Sequence, residues 1–181
     1  MVVHRILTKP WLLYPLLLAI VIVIVYLVYF CCFYSVTTVI LVRHAEVSTM
    51  QSQDPPLNAA GQERAQTLVH VAGEADVTVI YATQYNRTQQ TVQPLATHLG
   101  LPVNLVDAMD IEGIVDQVLS DYSGEIVLIV GHSNTIPQII EEFGGEPIPP
   151  IGEGEFDNMF IVTVITLGKV NVVNLKYGDL S

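Results

Sequence analysis

Two histidines in this chain stand at the ends of apolar runs, and each has company suited to an anion. Val39-Ile40-Leu41-Val42 stops at Arg43-His44, and Ile126-Val127-Leu128-Ile129-Val130 stops at Gly131-His132-Ser133-Asn134. A third run, Ile80-Tyr81-Ala82-Thr83, leads into Gln84-Tyr85-Asn86-Arg87-Thr88. Arg87 falls in the first turn of the helix expected there, where a cation opposes the helix dipole. Local stability does not favour it, whereas an anion bound beyond the strand end would. Residues 36–181 contain three arginines, and two of them, Arg43 and Arg87, sit at strand tips. Guanidinium forks in such places suit a phosphate.

These side chains need a scaffold that brings strand ends together. The pattern predicts strands over 37–43, 76–81, 102–106 and 125–130, and helices over 58–72, 84–99, 111–119 and 133–143. A hairpin over 159–166 and 170–175 turns through Leu167-Gly168-Lys169. Leu68, Val69 and Val71 mark the apolar side of the first of these helices, Asn58 its cap, and Gly100 the stop of the second. All-apolar strands alternating with helices predict an α/β, three-layer sandwich. Its sheet is mostly parallel, with helices on both faces and a C-terminal antiparallel hairpin. In such sheets ligands bind beyond the carboxyl ends of the strands. If the strands ending at His44 and His132 are neighbours, the two imidazoles face one another there. Gly131 permits close backbone approach, and Ser133 is placed to cap the next helix, whose free N–H groups attract an anion.

The chain carries 7 basic and 18 acidic residues. Setting aside Arg5 and Lys9 leaves 5 basic against 18 acidic, a formal charge of −13 for the rest. That excludes binding to nucleic acid through a broad surface. Residues 11–34 hold no charge, and a helix of that length spans a hydrocarbon core of about 30 Å. They read as an uncleaved transmembrane helix rather than a signal peptide, since no small-residue cleavage site follows. His4, Arg5 and Lys9 precede it, so the positive-inside rule predicts a cytoplasmic flank over 1–10. The expected layout is that flank, a membrane anchor over 11–34 and an extracytoplasmic domain over 36–181, periplasmic or extracellular. Cys31 and Cys32 read as small apolar residues of the span, and no disulfide framework or zinc spacing is present.

Four ordered stretches carry a resemblance. Leu41-Val42-Arg43-His44-Ala45-Glu46 resembles the Arg-His signature of the histidine phosphatase superfamily, the phosphoglycerate-mutase-like fold. Pro56-Leu57-Asn58-Ala59-Ala60-Gly61 is similar to its Leu-Thr-x-x-Gly helix start. Residues 83–91 resemble its Ser-x-x-x-Arg-x-x-Gln-Thr segment, and Gly131-His132-Ser133 its Gly-His motif. The resemblance implies a compact phosphatase acting through a phosphohistidine on His44. A backbone carbonyl is expected to hold the other ring nitrogen of that imidazole. Arg43, Arg87 and His132 are then the groups around the phosphoryl oxygens. It implies no cofactor and no metal, and a phosphorylated small molecule as substrate; the expected anchor, by its place alone, adds a lipid-linked phosphate or a phosphoprotein near a membrane.

One departure limits the analogy. Many members carry a glutamate acid near a Gly-x-Trp-Glu-Gly stretch, and this chain has Asp107-Ala108-Met109-Asp110-Ile111-Glu112-Gly113 instead. Asp107 or Asp110 is the acid, or there is none and both cap a helix. Compact phosphohistidine phosphatases of the family also lack it, and their substrates have good leaving groups. The alternatives are a non-catalytic phosphate- or partner-binding domain of the same fold, and a phosphotransferase or mutase.

The remaining polar residues have local explanations. His70 and His98 lie within helices away from any strand tip. Arg64 reads as a solvated helix face and Glu46 as a local hydrogen-bonding residue. Glu153, Glu155 and Asp157 read as a solvated loop, with a rim that rejects highly charged substrates as the alternative.

Overall fold

A computed structural model of the chain describes residues 10–33, 35–50, 52–165 and 170–179, with backbone alone at 10–12 and 30–33. The chain divides into two compact units, Met1–Ser35 and Val36–Ser181. In the first, the uncharged run forms α1 (Pro10–Phe33), with Pro15 inside the helix. Its side chains over 13–29 are exposed throughout.

Among the described residues no helix is long and apolar enough to cross a membrane. The transmembrane anchor expected over 11–34 is therefore corrected. The single-pass placement, the extracytoplasmic domain, and the reason for expecting a membrane or lipid-linked partner fall with it. The basic flank (His4, Arg5, Lys9) and the side chains of Cys31 and Cys32 lie outside the described residues, as does the turn expected at 167–169.

The second unit runs β1 (Val36–Arg43), α2 (Ala59–Ala72), β2 (Val79–Thr83), α3 (Asn86–Leu99), β3 (Val103–Val106), α4 (Ile111–Asp121), β4 (Ile126–Gly131), α5 (Thr135–Glu142), β5 (Asn158–Ile165) and β6 (Val170–Lys176). Its strands form one mixed sheet of order β3-β2-β4-β1-β5-β6. The first four pair in parallel, while β5 runs antiparallel to β1 and β6 antiparallel to β5.

Alternation along β1 explains the layers. Val39 and Leu41 project into one core with Val115 and Val118 of α4 and Ile136 and Ile140 of α5. Ile40 and Val42 project into the other with Leu68 of α2 and Val92 and Leu95 of α3. Side chains as buried as Leu41, Leu68 and Ile129 each contribute roughly 2–3 kcal/mol of hydrophobic stabilisation. Continuous apolar strands are thus what a sheet covered on both faces requires.

Local differences from the sequence pattern have identifiable causes. The strand expected from 76 begins at Val79, because Asp76 adopts a left-handed conformation (φ 52°) that ends the preceding turn. Helix α5 begins at Thr135, and Ser133 is not its cap; the Thr135 hydroxyl instead accepts from His132 N at 3.1 Å. Val71 is exposed, since the inner face of α2 follows Gly61, Ala65, Leu68 and Ala72. Asn58 caps α2 as expected, accepting from Gly61 N at 2.9 Å. Gly61 lies so close to the Glu46 carbonyl that a β-carbon would collide with it. This contact seats α2 directly behind the segment that follows β1.

Candidate active site

The parallel pairing of β1 with β4 sets Arg43 opposite Gly131, and His44 N donates to Gly131 O at 3.0 Å. His44 and His132 therefore leave adjacent strand tips together. Their rings lie 5.4 Å apart between centroids, at 61°, and both residues are 7 % exposed. Arg87 approaches from the first turn of α3, at the tip of neighbouring β2. The two imidazoles and two guanidiniums singled out from sequence thus gather at one end of the sheet.

The geometry of His44 is specified by the backbone. His44 Nδ1 lies 2.8 Å from Ala45 O. A carbonyl only accepts, so Nδ1 carries the proton and Nε2 keeps its lone pair. Ala45 N donates to Thr91 Oγ1 at 2.8 Å, and that hydroxyl donates to Arg87 O at 2.7 Å. One threonine of α3 therefore ties Ala45, whose carbonyl orients His44, to the backbone of Arg87.

Each guanidinium lies on an aromatic ring. Arg43 sits 4.2 Å above the Phe156 ring and Arg87 4.3 Å above that of Tyr85. Phe156 also meets His44 at 5.9 Å, and Tyr85 meets His132 at 5.4 Å. Stacking fixes the plane of each fork and favours the cation. Arg43 Nη1 donates to Gly152 O at 2.8 Å and to Glu155 O at 3.1 Å. The loop read as solvated is therefore packed on the site through its backbone and Phe156. Glu153 and Glu155 are exposed, whereas Asp157 is buried and bonded to Lys176 Nζ at 2.7 Å.

The candidate acids are elsewhere. Asp107 accepts from Met109 N at 2.8 Å and Asp110 caps α4, accepting from Gly113 N at 3.1 Å. Both are exposed and occupied in local turns beyond edge strand β3. Among the described residues, the carboxylate that pairs with a guanidinium of the site is Asp54. It accepts from Asn86 N at 3.0 Å and from Asn86 Nδ2 at 2.8 Å, and lies 3.6 Å from Arg87 Nη1. Its position in an irregular loop before Pro55-Pro56 offers no periodic signal in sequence. His70 and His98 are exposed on helices away from these tips. Arg64 is not a solvated face: it is buried and forks onto the Glu46 carboxylate at 2.7–3.1 Å. Its spacing with Gly61, Ala65 and Leu68 puts it on the inner side of α2, and that period was the available signal.

Burial pushes His44 down to about 4, with Arg43 and Arg87 adding to the effect and the Ala45 hydrogen bond opposing it. His132 is likewise pushed down to about 4, by burial first and then by Arg87, His44 and Arg43. A depressed imidazole is neutral above that value and protonated below it, so the neutral form persists through mildly acidic solution. The expected kcat/KM profile, which reports the free enzyme, has its acid limb near pH 4 rather than near 6.5. A pH series with a substrate whose own ionisation is known checks this. An acid limb centred above pH 6 contradicts the depressed value.

The α/β domain carries Arg-His and Gly-His at neighbouring parallel strand tips, and one family model matches part of it. Residues 39–110 match the sequence model of the histidine phosphatase superfamily (branch 1), so this segment carries that superfamily's pattern. No curated protein sequence matches the chain. Among solved structures, the protein histidine phosphatase SixA complexed with tungstate superposes with a TM-score of 0.63 at 18% identity. That alignment covers 77% of this chain and 96% of SixA. A mycobacterial glucosyl-3-phosphoglycerate phosphatase complexed with VO3 gives 0.62 at 14% identity, over 78% of this chain and 99% of its own. A protein titled mycobacterial hydrolase 2 gives 0.62 at 14%, over 81% and 93% respectively. At these identities the likeness is one of fold.

Proposed function

We propose that this chain is a phosphohydrolase of the histidine phosphatase type, with His44 as nucleophile and Arg43, Arg87 and His132 as the phosphoryl clamp. The observation that carries this reading is the His44 imidazole. Its Nδ1 is committed to Ala45 O, and it faces His132 between two stacked guanidiniums. Nε2 attacks phosphorus, the bond to the leaving group breaks, and its electron pair departs with the leaving atom. The charge on the three phosphoryl oxygens is met by the two guanidiniums and His132. Water then attacks phospho-His44. Phosphate leaves, and Nε2 recovers its lone pair. The net reaction consumes one water per phosphoryl group.

The substrate class follows from what surrounds the leaving group. Asp107 and Asp110 are spent on turns, and Asp54 is spent on Asn86 and Arg87. A leaving group that departs without a proton from the protein is then favoured: an aryl phosphate, or a phosphoramidate such as phosphohistidine. The SixA likeness is in keeping with that choice, and no metal enters the scheme.

The test uses the full chain with an aryl phosphate, a phosphohistidine peptide and an alkyl phosphate. Turnover of the first two at least about a hundredfold faster than the third is expected, since general acid catalysis contributes about 10²–10⁴-fold where it is present. Rapid acid-free quenching should trap phosphate that is labile to acid and stable to base. Equal rates on aryl and alkyl esters reject the substrate class, and absence of turnover and of trapped phosphate rejects the reaction.

A further inference from the structure

Behind His132 lies a chain of buried hydroxyls that the reaction above does not use. His132 Nε2 is 3.0 Å from Thr83 Oγ1, and Thr83 Oγ1 is 2.9 Å from Thr88 Oγ1. Thr88 Oγ1 is in turn 3.0 Å from Thr83 O and 2.8 Å from Tyr85 O. Thr88 is 0 % and Thr83 5 % exposed, so solvent does not compete for these groups.

Counting protons along the chain gives it a direction. A hydroxyl has one hydrogen, and a carbonyl oxygen can only accept. Thr88 must point its hydrogen at one of its two carbonyl neighbours, because otherwise its oxygen faces two lone-pair-bearing atoms with nothing between. Thr88 therefore accepts from Thr83. The single hydrogen of Thr83 is then used, so Thr83 accepts from His132. The proton of the neutral imidazole is thereby placed on Nε2, and Nδ1 is the ring nitrogen with a lone pair for a ligand.

We propose that Thr83 and Thr88 form a hydroxyl relay that sets the tautomer of His132, so that His132 meets the phosphoryl group as a proton acceptor at Nδ1. Thr83 and Thr88 are positioning residues: they act through His132 and do not touch the ligand. The consequence for binding is a proton count. A phosphoryl monoanion brings its own P–OH hydrogen and donates it to Nδ1. A dianion brings none, so one proton must come from solvent onto Nδ1 as it binds. In both cases the complex holds one proton more than the free dianion and the empty site. The other groups facing His132 are Arg43 and His44 from the end of β1, Arg87 and the Tyr85 ring at the start of α3, and Asp54 from the loop before α2. A guanidinium does not lose its proton in a protein. His44 has its own proton committed to Ala45 O, so it does not serve as the donor.

The catalytic use of the relay rests on the phosphohydrolase reading, but the relay itself can be read without turnover. The experiment is long-range ¹H–¹⁵N correlation on the ¹⁵N-labelled full chain at neutral pH, with the His132 signals assigned by their loss in His132→Gln. The expected result is the Nε2–H tautomer in wild type and in Thr83→Ser, which keeps the hydroxyl. Thr83→Val removes the acceptor and Thr88→Val frees the Thr83 hydrogen to turn toward Nε2. Both should move His132 toward the Nδ1–H form, although Thr88 does not touch it. The dissociation constant of inorganic phosphate should weaken about tenfold per pH unit above the second ionisation of phosphate in wild type, as one coupled proton requires. That dependence should flatten in Thr83→Val. An Nδ1–H tautomer in wild type overturns the proposal, even if the valine variants do not fold. A folded Thr88→Val with an unchanged tautomer overturns the relay beyond Thr83. Lack of phosphatase activity with the tautomers as expected would count against the reaction alone.

Discussion

His44→Ala is expected to lower kcat/KM on an aryl phosphate by at least about 10⁴-fold, with no trapped phosphoenzyme remaining. The magnitude follows from removing the atom that forms the covalent bond, since loss of a nucleophile in a covalent enzyme leaves only the contribution of the surrounding electrostatics. The fold should survive. His44 follows the end of β1 and opens on the site, and its one backbone-directed bond, to Ala45 O, is worth about 1 kcal/mol net. The thermal midpoint therefore separates loss of chemistry from loss of structure. Phosphate should still bind, because Arg43, Arg87 and His132 remain and their clamp does not depend on the nucleophile. The same variant tests the non-catalytic alternative. A phosphate-binding domain shows no turnover in wild type and the same phosphate affinity with or without His44. Wild-type turnover in a folded His44→Ala removes His44 from the chemistry.

The elements that carry this site are the ones whose physics is local. A β-branched run interrupted by Arg43-His44 identifies a buried strand and its tip at once, because only a sheet covered on both faces tolerates such a run. Arg87 was legible for the opposite reason: it stands where the helix dipole disfavours it. Whether the tips of β1 and β4 are neighbours depends on strand order, which no single stretch encodes. It was reached only through the ordered motifs. In the loop from Gly152 to Asp157 the acidic composition shows the solvent-facing side, Glu153 and Glu155, but not the side packed on the site, whose contacts are made by carbonyl oxygens and by Phe156. Asp54 was invisible for a similar reason. Its partners, Asn86 and Arg87, are brought to it by the turn that starts α3. Residues 11–34 were legible as a helix, α1, but the further step to a membrane span is not supported by the described residues.

Arg64 shows how far a structural residue can reach toward the chemistry, and its replacement carries the largest expected cost to stability. Its Nε and Nη2 take both oxygens of Glu46, while Nη1 donates to Tyr177 O at 2.8 Å and Nη2 to Asp179 O at 2.9 Å. The two side chains are 4% and 16% exposed, so the pair is largely out of water. The Arg64 charge holds the Glu46 carboxyl below the usual range, against the opposing effect of its burial. Removing one member of such a pair leaves the other desolvated and unpaired, which typically costs about 3–5 kcal/mol. Arg64→Ala should fall near the lower end, because Glu46 keeps some solvent, and should lower the Tm by about 10 °C. Arg64→Lys keeps the charge but has no fork to match two oxygens and two carbonyls, so it should recover less than half of the loss. Glu46 lies two residues beyond His44, and its carbonyl receives Asn58 N at 3.0 Å under the close packing of Gly61. The ion pair therefore anchors the segment that leads away from His44. Arg64→Ala should accordingly lower kcat below its melting range while KM changes little, and a Glu46→Gln, Arg64→Met double-mutant cycle should show coupling of at least about 1 kcal/mol between the two sites. Additive losses in that cycle would mean that Arg64 acts through the C-terminal carbonyls alone.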